Sequence, residues 1–200
     1  MSSKNNDDKR EDLPPSQTPI KRLLRWGKDH PTIKSSIPKI DLKNWILVID
    51  GEVEKPLKLS WDGILKFPKV ETVSDFHCVE GWSVLSCRWE GIQFKYIVDL
   101  VKPKETAKFV SFECADGYTT SLSMTELLEN NALLAYKLDG NFLEEGLGAP
   151  LRLIVPNKYA YKSAMWITRI RFTSSKELGY WESRGYSDTA DVWSNDRFSK

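Results

Sequence analysis

The sequence predicts an α+β domain, largely β, in which short helices punctuate a mixed set of strands. Short runs of aromatic and β-branched residues recur along the chain, and helix-capping signals precede only brief apolar stretches. The strict strand–helix alternation of a doubly wound nucleotide fold is missing. Its 200 residues, 40% hydrophobic and 12% aromatic, suffice for one domain with a substantial core.

Residues 1–19 are polar, charged and interrupted by Pro14, Pro15 and Pro19. Such a stretch buries too little apolar area to offset the entropy of ordering, so a flexible N-terminal tail is expected, followed by a single domain over residues 20–200. Trp45-Ile46-Leu47-Val48-Ile49 predicts a buried strand closed by a tight turn at Asp50-Gly51. Ser60 is placed to cap a short helix from Trp61 to Leu65, with Asp62 near the positive end of its dipole and Pro68 stopping it. Residues 94–101 fit either a short helix or a strand, ended by Pro103.

Phe109 to Cys114 and Tyr118 to Leu122 predict two strands joined as a hairpin across Asp116-Gly117. Ser123-Met124-Thr125-Glu126 has capping-box spacing, in which each side chain satisfies the other residue's free N–H, so a helix of about two turns follows. Leu133 to Leu138 and Leu151 to Val155 read as strands, and the loop from Asp139 to Pro150 between them is a candidate pocket wall. Trp166 to Phe172 reads as a half-buried strand with Trp166, Ile170 and Phe172 inward and Arg169 and Arg171 solvated. The segment 178–200 carries Tyr180, Trp181, Tyr186, Trp193 and Phe198, too irregular for an amphipathic helix and too aromatic for a free tail. It is expected to wrap over the domain.

Lysine plus arginine (29) nearly balances aspartate plus glutamate (28), so no overall field favours nucleic acid or an anionic membrane. No apolar run approaches the about 18 residues that span a bilayer. The first ten residues lack the apolar core of a secretory signal, which points to a cytoplasmic protein. Cys78, Cys87 and Cys114 form an odd set without a Cys-x-x-Cys pair, consistent with reduced thiols.

The stretch Asp75-Phe76-His77-Cys78-Val79-Glu80-Gly81-Trp82-Ser83 reads as a site, because it surrounds one thiol with a carboxylate, an imidazole and an indole. A thiolate suits a soft or high-valent metal. On residue type alone Cys78 would be a buried, inert thiol, the reading that stands for Cys87 and Cys114. A zinc site of His77, Cys78 and Cys87 lacks paired spacing and a fourth ligand.

With Pro14-Pro15-x-Gln17, Trp45 to Gly51, Asp75 to Cys78, Gly117-Tyr118-Thr119-Thr120, Gly148-Ala149-Pro150-Leu151-Arg152-Leu153 and Tyr161-Lys162-Ser163 in this order, the chain resembles a known family. That family is the molybdopterin-dependent oxidoreductases of the sulfite oxidase family, in their single-domain prokaryotic form. The segment from Cys78 to Ser83 is also similar to that of the bacterial methionine sulfoxide reductase catalytic subunit. The resemblance implies a sulfite-oxidase-type molybdopterin-binding fold and an oxygen-atom transfer enzyme acting on a small oxo-acid or sulfoxide-type substrate.

By the same resemblance Cys78 is the catalytic thiolate that binds molybdenum, or tungsten in its place, with Glu80 as a catalytic proton-transfer candidate and Trp82 as packing. His30, Cys78, Arg152, Lys162 and Ser163 bind the cofactor, the phosphate falling to Arg152, Lys162 and Ser163. His77, next to the ligand in an extended chain, points away and takes a core hydrogen bond. Met165 stands where relatives carry a second lysine, Ala160 replaces a frequent glycine, and Leu147 replaces a polar residue. The arginine-bearing segment of sulfite oxidases is not reproduced after Cys78, which sets sulfite in doubt. No haem, iron–sulfur or dinucleotide motif is present, so a separate electron-transfer protein is implied. A non-catalytic molybdopterin carrier or storage protein is the alternative, and an interaction domain using the aromatic C-terminal segment is a third.

Overall fold

Two sheets organise the chain, and the elements that join them position one cavity. A computed structural model describes residues 13–34 and 36–199. The strands are β1 (Thr18–Pro19), β2 (Ile46–Gly51), β3 (Leu57–Ser60), β4 (Val70–His77), β5 (Trp82–Gln93), β6 (Phe109–Cys114), β7 (Thr119–Ser123), β8 (Leu133–Leu138), β9 (Asn141–Phe142), β10 (Arg152–Ile154) and β11 (Ile167–Thr173). Three short α-helices intervene: α1 (Trp61–Ile64), α2 (Phe94–Val101) and α3 (Met124–Glu129). One sheet runs β1-β5-β8-β10, with β4 also on β5 and β9 on β8; the other runs β3-β2-β11-β6-β7. The predicted α+β, mainly β class holds.

Local chemistry explains the elements. Ser60 Oγ accepts the Gly63 N–H at 3.3 Å and starts α1. The capping box at α3 is complete, with the Glu126 N–H on Ser123 Oγ at 3.1 Å and the Ser123 N–H on Glu126 Oε2 at 3.0 Å. Residues 94–101 resolve to a helix, because Phe94, Ile97 and Val101 recur on one face and all are fully buried. Each stabilises the fold by about 2 kcal/mol.

Three expectations change. Strand β2 buries only Leu47 and Ile49 and leaves Ile46 exposed, since just one face of its sheet meets the core. In β11 the register against β6 shifts between Ile167 and Arg169, so Ile167 joins Ile170 and Phe172 inside. Arg169 and Arg171 are ion-paired rather than free, Arg169 with Asp50 at 2.9 Å and Arg171 with Glu177 at 2.7 Å.

The tail expected over residues 1–19 is altered at its end. Residues 1–12 lie outside the described residues, whereas Thr18 and Pro19 pair in parallel with Trp82 and Ser83. Backbone pairing supplies what apolar burial could not. In the segment after Leu178, the Tyr180 N–H donates to Thr119 O at 2.8 Å, and Ala190 and Val192 bury against Tyr159 and Tyr161. Among the described residues, no helix is long and apolar enough to cross a membrane.

Candidate functional site

Strands β4 and β5 form a hairpin whose loop is Cys78 to Gly81. The Cys78 N–H donates to Trp82 O at 2.8 Å, and the Gly81 N–H donates back to Cys78 O at 3.0 Å. Gly81 closes the turn with φ of 100°, a left-handed conformation that glycine adopts without steric cost. Cys78 therefore sits at the tip of a rigid hairpin, 6% exposed. Its thiol faces a cleft of about 430 Å³ lined also by Trp26, His30, Glu80, Asp116, Tyr118 and Ser163.

Glu80 gathers the polar groups beside that thiol. Its Oε2 lies 3.0 Å from His30 Nε2, 3.2 Å from Trp82 Nε1 and 3.8 Å from Cys78 Sγ. Burial works to raise the Glu80 pKa, but the hydrogen bonds from His30 and Trp82 outweigh it and hold the carboxyl below its ordinary value. His30 stacks on Trp26 with ring centroids 4.6 Å apart, and its Nδ1 faces Pro31 O at 2.8 Å. Both imidazole nitrogens thus face oxygen acceptors, Pro31 O on one side and Glu80 Oε2 on the other.

Burial pushes the Cys78 thiol up to about 12, against the Glu80 amide that favours the thiolate. A bound metal ion reverses this, because coordination removes the proton outright. Asp116, in the β6–β7 turn, lines the cleft on the other side. Burial raises its carboxyl pKa, opposed by the Tyr118 amide that donates to Oδ1 at 2.9 Å.

The anticipated cofactor residues divide. Cys78, His30 and Ser163 line the cleft with Glu80; Arg152 and Lys162 are not among the lining residues. Arg152 is buried one layer behind the wall, donating to Leu147 O at 2.9 Å and lying 4.9 Å above the Phe76 ring. Lys162 is spent on Glu182 Oε1 at 2.6 Å, Asp188 Oδ1 at 3.1 Å and Ser121 O at 3.0 Å. Burial lowers its pKa, with Glu182 opposing. Ser163 Oγ accepts the Val155 N–H at 3.1 Å, which leaves its O–H free for the cleft.

His77 faces away, as its position predicts, with Nδ1 2.7 Å from Ser83 Oγ. Cys87 and Cys114 are buried and outside the cleft. Among the described residues no group of three or more His, Cys, Asp or Glu side chains is placed to hold a metal ion, which removes the zinc alternative. The loop 139–150 does not wall this cleft; Phe142, Leu143, Glu145, Ala149 and Pro150 border a separate apolar groove. Sequence reasoning missed Asp116, read only as a turn former, and the walls Trp26, Tyr118 and Trp166. Tyr180, Trp181 and Tyr186 come from the wrapping segment, whose aromatic excess was the available signal.

The donor set fits a flat heterocycle that carries a soft metal. One unshared thiol lies at the cleft, aromatic rings wall it, and its volume is within the range of small-molecule sites. The fit is weaker for an anionic end. No lysine or arginine lines the cleft among the described residues, Met165 and Ala160 occupying the wall, so Ser163 and His30 are the polar groups offered there.

Residues 34–181 match the model of a family described as the oxidoreductase molybdopterin binding domain. The chain is 38% identical over 159 residues to an uncharacterized oxidoreductase, YuiH, of Bacillus subtilis, covering 80% of both chains. It is 37% identical over 163 residues to the protein-methionine-sulfoxide reductase catalytic subunit MsrP of Campylobacter jejuni, covering 73% of this chain and 54% of that protein. The crystal structure of the sulfane dehydrogenase SoxCD from Paracoccus pantotrophus superposes with a TM-score of 0.65 at 21% identity, over 70% of this chain and 41% of that one, a likeness of fold.

Proposed function

The chain belongs to the oxidoreductase molybdopterin binding domain family, and from that premise we propose that it removes an oxygen atom from a sulfoxide-type substrate. It is a molybdopterin-dependent oxidoreductase, and its cofactor is molybdopterin with molybdenum. When bound, that group supplies the two-electron exchange with substrate. Cys78 would hold the metal through its thiolate, while Ser163 and His30 would meet the cofactor from the cleft wall. Arg152 and Lys162 would act from behind, Arg152 by fixing the carbonyl of Leu147 and Lys162 by fixing the wrapping segment.

The carrying observation is the His30–Glu80 pair, hydrogen-bonded at 3.0 Å and within 3.8 Å of the Cys78 sulfur. Removing oxygen from a sulfoxide consumes two electrons and two protons and yields a sulfide and water. The pair sets the Glu80 carboxylate between the His30 imidazole and the thiol, where it would relay one such proton. Tyr180 and Trp181 line the same cleft and would help to exclude bulk water from it. The absence of lysine and arginine from the lining among the described residues, together with Glu80 and Asp116, disfavours an oxyanion such as sulfite and suits a neutral S–O group. The name of the Campylobacter jejuni relative supports the same substrate class. Electrons would come from a separate carrier protein, since all three cysteines are single, buried thiols.

The test is metal analysis, for molybdenum and tungsten, with fluorescence of the oxidised pterin, on protein from a cofactor-competent host. Turnover of methionine sulfoxide and of sulfite is then followed. Wild-type protein is expected to carry molybdenum and pterin and to reduce the sulfoxide, and Cys78→Ser to keep some pterin without turnover. Loaded protein inactive on every sulfoxide would leave the carrier or storage role.

A further inference from the structure

Two segments remote in sequence converge on the Cys78 hairpin. Gln17 Nε2 donates to the carbonyl of Cys78 at 3.1 Å, the same oxygen that receives the Gly81 N–H at 3.0 Å. The Thr18 N–H donates to Gly81 O at 2.8 Å. From the other end of the chain, the Arg197 guanidinium donates to the carbonyl of Val79 and, at 3.1 Å, to that of Ser16. Three of the four loop carbonyls, those of Cys78, Val79 and Gly81, are thereby held from outside the hairpin.

The orientation of Gln17 is itself determined. Ser83 Oγ donates its single proton to Gln17 Oε1 at 2.8 Å, so the Ser83 oxygen can only accept from His77 Nδ1 at 2.7 Å. The bonds run one way, from imidazole to hydroxyl to amide, and leave the Gln17 NH2 group aimed at Cys78 O. Reversing the amide would set its oxygen against that carbonyl and its NH2 against a hydroxyl already committed to donating. A structural brace would need none of this polarity.

We propose that Gln17 and Arg197 are positioning residues that set the direction of the Cys78 sulfur. The inference rests on Cys78 as the metal ligand, and it assigns a role to the Gln17 of the Pro-Pro-x-Gln segment. A metal–thiolate bond has a preferred direction at sulfur, and a turn of four residues held only by its own two hydrogen bonds would let the Cys78 side chain swing. External donors to Cys78 O and Val79 O fix the two peptide planes that follow that side chain, and the Cys78 N–H on Trp82 O holds the one before it.

Gln17→Met, near in volume and without a donor, and Arg197→Lys, which reaches one carbonyl instead of two, test this in the full-length protein. Two measurements are made: the rate at which iodoacetamide alkylates Cys78 in cofactor-free protein, and the Mo(V) electron paramagnetic resonance spectrum of part-reduced holoenzyme. Alkylation is expected to accelerate about tenfold in Gln17→Met and less in Arg197→Lys. The loaded variants should show displaced g-values and kcat lowered about tenfold at unchanged KM, with metal and pterin content near wild type. An alkylation rate equal to wild type in both variants overturns the proposal, as does a superimposable spectrum. Wild-type protein without metal or pterin would instead overturn the metal-ligand reading, and the alkylation rates would still decide whether the clamp holds the cysteine.

Discussion

Lys162 Nζ lies 2.6 Å from Glu182 Oε1, and neither side chain is reached by solvent. Thr120 Oγ1 completes the arrangement by donating to the same carboxylate oxygen at 2.6 Å. This pair ties Lys162, behind the cleft wall, to the wrapping segment that carries Tyr180, Trp181 and Tyr186. Its value is as a link, because desolvating two ions cancels much of their attraction, whereas removing one leaves the other buried and uncompensated.

Lys162→Met is therefore expected to lower stability by about 3 kcal/mol, and Glu182→Gln by a similar amount. The double variant should recover part of the loss. Urea unfolding of the four proteins measures the coupling; strictly additive losses would show that the pair does not act as a unit.

Gly179 lets the wrapping segment approach β7. A Cβ there would lie 2.5 Å from Thr119 O and 2.6 Å from Thr120 Cα, both backbone atoms that cannot turn aside. Gly179→Ala should cost about 1–3 kcal/mol and lift Tyr180 and Trp181 from the cleft. Faster tryptic cleavage at Arg184 and reduced pterin retention are the expected readouts.

Glu80→Gln keeps the shape of the side chain and removes its capacity to hold a proton. We expect kcat for sulfoxide reduction to fall by about 100-fold with metal and pterin content unchanged. His30→Gln retains a donor toward Glu80 and should cost less. Equal rates in wild type and Glu80→Gln would place the proton source elsewhere.

Glu126 provides a pH prediction. Burial works to raise its pKa, but hydrogen bonds from Lys158 at 2.7 Å and from Ser123 outweigh it, and the carboxyl is held below its ordinary 4.5. The unfolded chain then takes up a proton before the folded one does, so the stabilisation is complete above pH 4.5 and is lost as pH falls through the depressed folded value. Thermal melts of wild type and Glu126→Gln should converge on acidification; a constant gap would contradict the assignment.

What the sequence disclosed followed from local chemistry. The Ser123–Glu126 box, the Asp116-Gly117 hairpin turn and the Cys78 segment ending in Gly81 each depend on neighbours a few residues away. Arg152 and Lys162 show where that reasoning stops. A cation beside a cofactor motif reads as a phosphate donor, yet which way it points is decided by partners distant in the chain: Glu182 for Lys162 and Phe76 for Arg152. Gln17 was hidden for the same reason, since a polar, proline-broken segment gives no sign of the strand edge and carbonyl it meets.

The bond from Arg197 to Ser16 joins positions 181 residues apart. A contact of that span closes a loop nearly as long as the whole domain, and such contacts form late in folding. On a ribosome it waits for Arg197 to emerge, after every strand of both sheets has been synthesised. Maturation of the cysteine hairpin thus waits for the segment that carries Arg197, and a chain lacking that segment would present the thiol without its final geometry.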